Sequence, residues 1–169
     1  MLRNNDLIQS IQATADARPQ DLAHLFDAQL QSVRAMIVLP GVDEDDVLVL
    51  RLGAEELLHR GWRAFYLAES YLTDKKWPES LALFEQAVEL GMQVRERLND
   101  LSTIDETAGD ELGKGVEALH QAAGGARSRV HALAFLADHE LTSGVQQLSL
   151  QTSSSSSTGG GSQSLLERR

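Results

Sequence analysis

Residues 64–91, AFYLAESYLTDKKWPESLALFEQAVELG, decide the fold. Leading into and through this stretch, Leu58, Trp62, Phe65, Ala68 and Leu72 recur at spacings of four and three, which is one apolar stripe of a 3.6-period helix. Gly61, Ala64 and Ala68 are small, so a second helix can lie close beside the first. Asp74-Lys75-Lys76-Trp77 forms the turn. Pro78 follows, where the missing N–H of a proline is harmless because the first turn of a helix has no partner for it. Glu79 places negative charge near the helix N-terminus, which the helix dipole favours. Leu81, Phe84, Ala87, Val88 and Gly91 carry the second apolar stripe, and Leu90, Val94 and Leu98 extend it.

The hairpin resembles a tetratricopeptide unit. Leu67, Tyr71, Phe84 and Ala87 stand where that repeat has its packing residues, and Ala68 and Ser80 supply small ones. Ala64 replaces the usual tryptophan, and no proline ends the unit. The plainer alternative is an ordinary amphipathic helical hairpin. Repeats of this kind stack into scaffolds that hold other proteins and rarely do chemistry. The hairpin-packing residues are therefore Leu67, Ala68, Tyr71, Trp77, Leu81, Phe84 and Ala87, with Tyr71 and Phe84 expected to face the neighbouring helix.

The chain has 169 residues, of which 42% are hydrophobic and 24% charged, normal for a globular domain with a real core. Aromatics are 5%, so Leu, Val and Ala must fill most of that core. The absence of cysteine excludes a disulfide scaffold and a thiolate metal site, and it fits a reducing compartment. A formal net charge of −10 repels phosphate backbones, which makes these residues poor nucleic-acid contacts. No apolar run is long enough to span a membrane, and MLRNNDLIQSIQ lacks the apolar core of a signal peptide.

Helical spacing predicts an all-α fold of stacked antiparallel helical hairpins. Leu7, Ile8 and Ile11 mark a short first helix ending before Arg18-Pro19. Leu22, Leu25, Phe26, Leu30, Val33 and Ile37 mark a helix from Pro19 to about Leu39, broken by Leu39-Pro40-Gly41. Asp43-Glu44-Asp45-Asp46 opens a long helix to about Thr73, and the second arm of the hairpin runs from about Pro78 to Leu98. Asn99 to Glu111 is acidic and reads as a solvated loop. A last helix from about Asp110 to Glu140 carries Val116, Leu119, Ala123, Val130, Leu133, Ala134 and Ala137, with Gly124-Gly125 as a bend or break. The helical domain thus covers residues 1–141. Residues 142–164, with QTSSSSSTGGGSQS, read as a disordered Ser/Gly-rich linker that cannot bury a core. That linker leads only to residues 165–169, which points to a chain continuing beyond Arg169.

Candidate chemistry is sparse. The acids at 43–46 lack the alternation, glycine and distal glutamate of a calcium loop, and a helix N-terminus accounts for them. His24, His59, His120, His131 and His139 form no HExxH and no pair three or four apart, so they read as surface or satisfied helix residues. Gly113-Lys114-Gly115 has neither the spacer nor the Ser/Thr of a phosphate loop. Lys75-Lys76-Trp77 could touch RNA by charge and stacking, but a tryptophan packed under a turn with solvated lysines is the simpler reading. The sequence shows no catalytic, cofactor or metal residue set, and the chain reads as non-enzymatic.

Four segments taken in order carry a further resemblance: VLPGVDEDDVLVLRL, RGWRAFYLAESYLTDKKWPESLALFEQAVELG, KGVEALHQAAGGARSRVHALAFLAD, and the serine tract followed by SLLERR. From about Val33 to Arg169 they look like the later part of the 68-kDa subunit family of the signal recognition particle. The resemblance implies an all-α, non-catalytic subunit of a ribonucleoprotein that targets nascent secretory and membrane proteins to the endoplasmic reticulum. It implies a heterodimer with the 72-kDa subunit, and binding of the particle's RNA through a basic N-terminal domain that this acidic sequence does not contain. It implies a cytoplasmic location with a nucleolar assembly stage. Leu165, Leu166, Glu167, Arg168 and Arg169 resemble the start of the partner-binding segment. A reading from another class is a free-standing tetratricopeptide-like adaptor that binds peptide motifs in a concave groove.

Overall fold

The computed structural model describes residues 17–155, and these form four α-helices and no strand. They are α1 (Pro19–Ile37), α2 (Asp46–Thr73), α3 (Trp77–Ser102) and α4 (Glu106–Ser155). The all-α reading therefore holds. The short helix expected around Leu7, Ile8 and Ile11 falls outside the described residues, as do 156–169.

Local chemistry fixes the helix starts. Pro19 stands at the first position of α1, after an extended Arg18. Asp45 caps α2, its carboxylate accepting the Leu48 N–H at 3.0 Å. The acids at 43–46 thus belong to a capped helix start. Gly41, at φ +87°, turns the chain between α1 and α2 in a conformation that L side chains rarely adopt. Val42 then buries against Val33 and Leu52 and anchors that turn.

The elbow between α2 and α3 ends α2 with two carbonyls satisfied. Lys76 N–H donates to the Tyr71 carbonyl at 3.0 Å and Lys75 N–H to the Leu72 carbonyl at 3.1 Å. This is a Schellman motif with Lys75 in the left-handed position at φ +59°, where glycine is usual. Pro78 sits in the first turn of α3. Ser80, fully buried, donates its hydroxyl to the Ala68 carbonyl at 2.9 Å and ties α3 to α2 across the elbow.

The α3–α4 connection corrects the sequence reading. In place of a solvated loop from Asn99 to Glu111, α3 runs to Ser102 and α4 begins at Glu106. The cause is visible in packing. Leu101, Ala108 and Leu112 are buried, and the Asp105 carboxylate caps α4 by accepting the Ala108 N–H at 3.0 Å. Most of the acids are surface residues of helices. Gly124 and Gly125 lie within α4, which continues past them and past the expected end at Glu140. Leu141, Val145 and Leu148 keep helical spacing in the sequence there. The first part of the segment read as a linker is therefore helical, to Ser155.

The described residues divide into two units, one ending at His131 and one beginning at Ala132. In the first, α1 packs on α2 and α2 on α3. The amino-terminal half of α4 completes the core through Val116, Leu119, Ala123, Ala126 and Val130. Close approach depends on glycine: a Cβ on Gly61 would stand 2.6 Å from Leu119 Cδ2, and one on Gly115 would stand 2.9 Å from Leu58 Cδ2. Phe26, Trp62, Phe65, Tyr66 and Phe84 form one aromatic cluster, with centroids 5.2–6.4 Å apart between neighbours. In the second unit, Leu133, Phe135 and Leu136 are exposed on α4.

Phe84 is fully buried. Tyr71 is not: it is 36% exposed. Its ring instead lies beneath the Lys76 ammonium, 5.2 Å from ring centroid to nitrogen. The Schellman turn causes this, because it brings the Lys76 backbone back onto Tyr71. The arms α2 and α3, of 28 and 26 residues, are also much longer than the halves of a tetratricopeptide repeat of about 34 residues.

Candidate functional site

Of the hairpin-packing residues, Ala68, Phe84 and Ala87 are buried, and Trp77 and Leu81 are partly buried against the same core. Trp77 thus packs beside the turn while Lys75 and Lys76 stay exposed. Leu67 and Tyr71 do not join that core. They line an open groove between α1 and the carboxy-terminal part of α2, with a volume of about 330 Å³.

Gln20, Ala23, His24 and Asp27 of α1 form one wall, Arg63, Leu67, Ser70 and Tyr71 of α2 the other, and Asp74 and Lys76 of the elbow close one end. Helical periodicity explains the grouping, since Ala23 and Asp27 share one face of α1 while Arg63, Leu67, Ser70 and Tyr71 share one face of α2. Most polar groups are already partnered. Gln20 Nε2 donates to Ser70 Oγ at 3.0 Å. Arg63 pairs with Asp27, and His24 Nδ1 lies 3.9 Å from the same carboxylate. Lys76 has the Tyr71 ring but no carboxylate in ion-pair contact among the described residues. Residues such as Gln20 and Ser70, fifty positions apart, carried no local signal that they would meet.

A polar clasp joins α3 and α4. His120 Nε2 lies 3.2 Å from the Val88 carbonyl, an acceptor only, so Nε2 carries the proton and donates. His120 Nδ1 then accepts from Arg95 Nη2 at 3.3 Å, and Arg95 pairs with Glu117 at 3.1 Å. Gly91 makes room, since a Cβ there would come 3.0 Å from His120 Nε2.

His59 departs from the sequence reading. It is buried at 6% exposure, tilted against Phe26, and its Nδ1 has no hydrogen-bond partner among the described residues. Burial lowers its pKa from 6.5 to about 4, so it is a neutral core residue. Trp62 Nε1, one turn on, is likewise buried without a partner. The Tyr66 hydroxyl is pushed up, by burial first and then by the Glu69 carboxylate. Among the described residues no group of three His, Asp or Glu side chains gathers as a metal site, and no helix is long and apolar enough to cross a membrane. Leu165, Leu166, Glu167, Arg168 and Arg169 lie outside the described residues.

The chain is similar to proteins named signal recognition particle subunit SRP68. The Drosophila melanogaster protein is 31% identical over 134 residues, covering 78% of this chain and 21% of its own length. The Caenorhabditis elegans protein is 28% identical over 97 residues, covering 57% of this chain and 16% of its own. The chain thus spans about a fifth of the length of these relatives. No solved structure matches it at a significant level. The profile of one family, described as RNA-binding signal recognition particle 68, matches residues 4–168, nearly the whole sequence. On that match, made over a helical chain with a closely nested core, the chain belongs to the RNA-binding signal recognition particle 68 family.

Proposed function

We propose that this chain is a non-catalytic structural segment of the signal recognition particle, acting in cotranslational targeting of proteins to the endoplasmic reticulum membrane. The observation that carries this is the family match over residues 4–168. The packed core supports a mechanical role. Three helices and half a fourth nest through glycines and alanines up to Val130, the close packing expected of a scaffold element.

In this reading the particle's RNA is bound by other, basic parts of the intact subunit. The net charge of −10 favours that division of labour. The partner is the 72-kDa subunit, with Leu165, Leu166, Glu167, Arg168 and Arg169 as a first contact after a Ser/Gly spacer. The protein works in the cytoplasm, after a nucleolar assembly stage, and reaches the endoplasmic reticulum through the particle.

Affinity purification of the tagged full-length gene product tests this. The 72-kDa subunit and the particle's RNA should co-purify in stoichiometric amounts. Recovery of neither, with chaperones or short C-terminal peptides bound instead, would replace this reading with that of a free-standing adaptor.

A further inference from the structure

The α1–α2 groove is a ligand-sized site whose chemistry is incompletely satisfied. Its volume of about 330 Å³ lies at the lower end of small-ligand pockets and suits a few extended residues, not a folded domain. Ala23, Leu67 and the face of Tyr71 supply an apolar surface. Asp27 and Arg63 neutralise each other, and a hydrogen bond from Gln20 to Ser70 joins the two walls. Two charges remain at the elbow end. The Lys76 ammonium meets only an aromatic ring, and the Asp74 carboxylate has no ion-pair partner among the described residues. The Schellman turn holds both in place, because Lys75 in its left-handed conformation fixes the backbone between them.

We propose that this groove binds a short extended peptide segment in which an acidic residue stands next to an aliphatic one. The aliphatic side chain lies on Ala23, Leu67 and Tyr71. The carboxylate pairs with Lys76, and a peptide N–H donates to Asp74. Each uncompensated group then has a partner of opposite character. Nucleic acid fits less well, although a base could stack on Tyr71: a phosphate backbone needs several cations along its length, and outside the Asp27–Arg63 pair the groove lining offers a single lysine, Lys76, enough for one carboxylate.

The test is a titration of the isotopically labelled 169-residue chain followed by amide NMR. Three probes are used: the blocked peptide acetyl-Gly-Leu-Glu-Leu-Gly-amide, its analogue with lysine in place of glutamate, and a single-stranded oligouridylate. The acidic peptide should shift the amides of Gln20, Ser70, Tyr71 and Lys76, and the lysine analogue should not. K76E should weaken binding at least tenfold. K114E, an equal charge change on an exposed residue of α4, should leave it unchanged, with circular dichroism confirming the fold of both. No shift up to millimolar peptide, equal binding by K76E, or displacement by the oligouridylate at the same amides would each overturn the proposal.

Discussion

At the residue scale, single side chains hold conformations that the sequence alone would not assign them. Lys75 occupies a left-handed position that costs an L residue about 1–2 kcal/mol. Lys75→Gly should raise stability by about 1 kcal/mol after the extra freedom of glycine in the unfolded chain is counted, seen as a higher urea midpoint at unchanged slope. His59 gives a pH dependence of definite sign. Its folded-state pKa, about 4, lies below its ordinary 6.5, so protonation favours the unfolded chain. The stability is fully present above pH 6.5 and falls as pH drops from 6.5 toward 4, by about 3 kcal/mol in all. Urea melts across that range should show the fall, and His59→Leu should flatten it. An unchanged slope in that variant would mean that another group titrates. The sequence showed that His59 belongs to a helix but not that it is buried, because burial depends on Phe26, contributed by another helix.

At the element scale, glycines separate two effects of the same substitution. A methyl on Gly61 would press on the fully buried Leu119, so Gly61→Ala should destabilise by about 1–3 kcal/mol despite its better helix propensity. A Cβ on Gly124 meets nothing within 4 Å, so Gly124→Ala should stabilise by about 1 kcal/mol. Thermal melts of the two variants should move in opposite directions, and a shift of the same sign in both would contradict the packing. Ser80→Ala removes the buried hydrogen bond across the elbow and should cost about 1 kcal/mol. Helix existence was legible from apolar spacing at all these places. The α3–α4 boundary was not, because Leu101, Ala108 and Leu112 stand among acids that outweigh them in any local count.

At the scale of the whole molecule, the buried hydrophobic core ends at Val130 among the described residues, and the first compact unit ends at His131. A chain ending at residue 131 should therefore unfold cooperatively, with a urea midpoint within experimental error of the full chain. A drop of more than about 1 kcal/mol would show that later residues contribute to that core. The surface ion pairs, Arg34 with Glu56 and Arg95 with Glu117, are more than half exposed on the arginine side and should add little, so added salt should shift the midpoint only slightly.

The sequence by itself determined the all-α class, the hairpin with its turn at residues 74–77, and the capped start of α2. All of these rest on periodicity and on local rules for proline, acids and helix ends, which act within a few residues. It also carried the family, through the order of its segments. The tertiary structure alone decided that His59 is a neutral core residue and that Tyr71 turns to Lys76 and solvent. It likewise decided that Gly61 is a contact point, and that α1 and α2 leave a groove between them. Each depends on what a distant helix brings alongside, and spacing along one helix gives the face that is buried but not the neighbour that buries it.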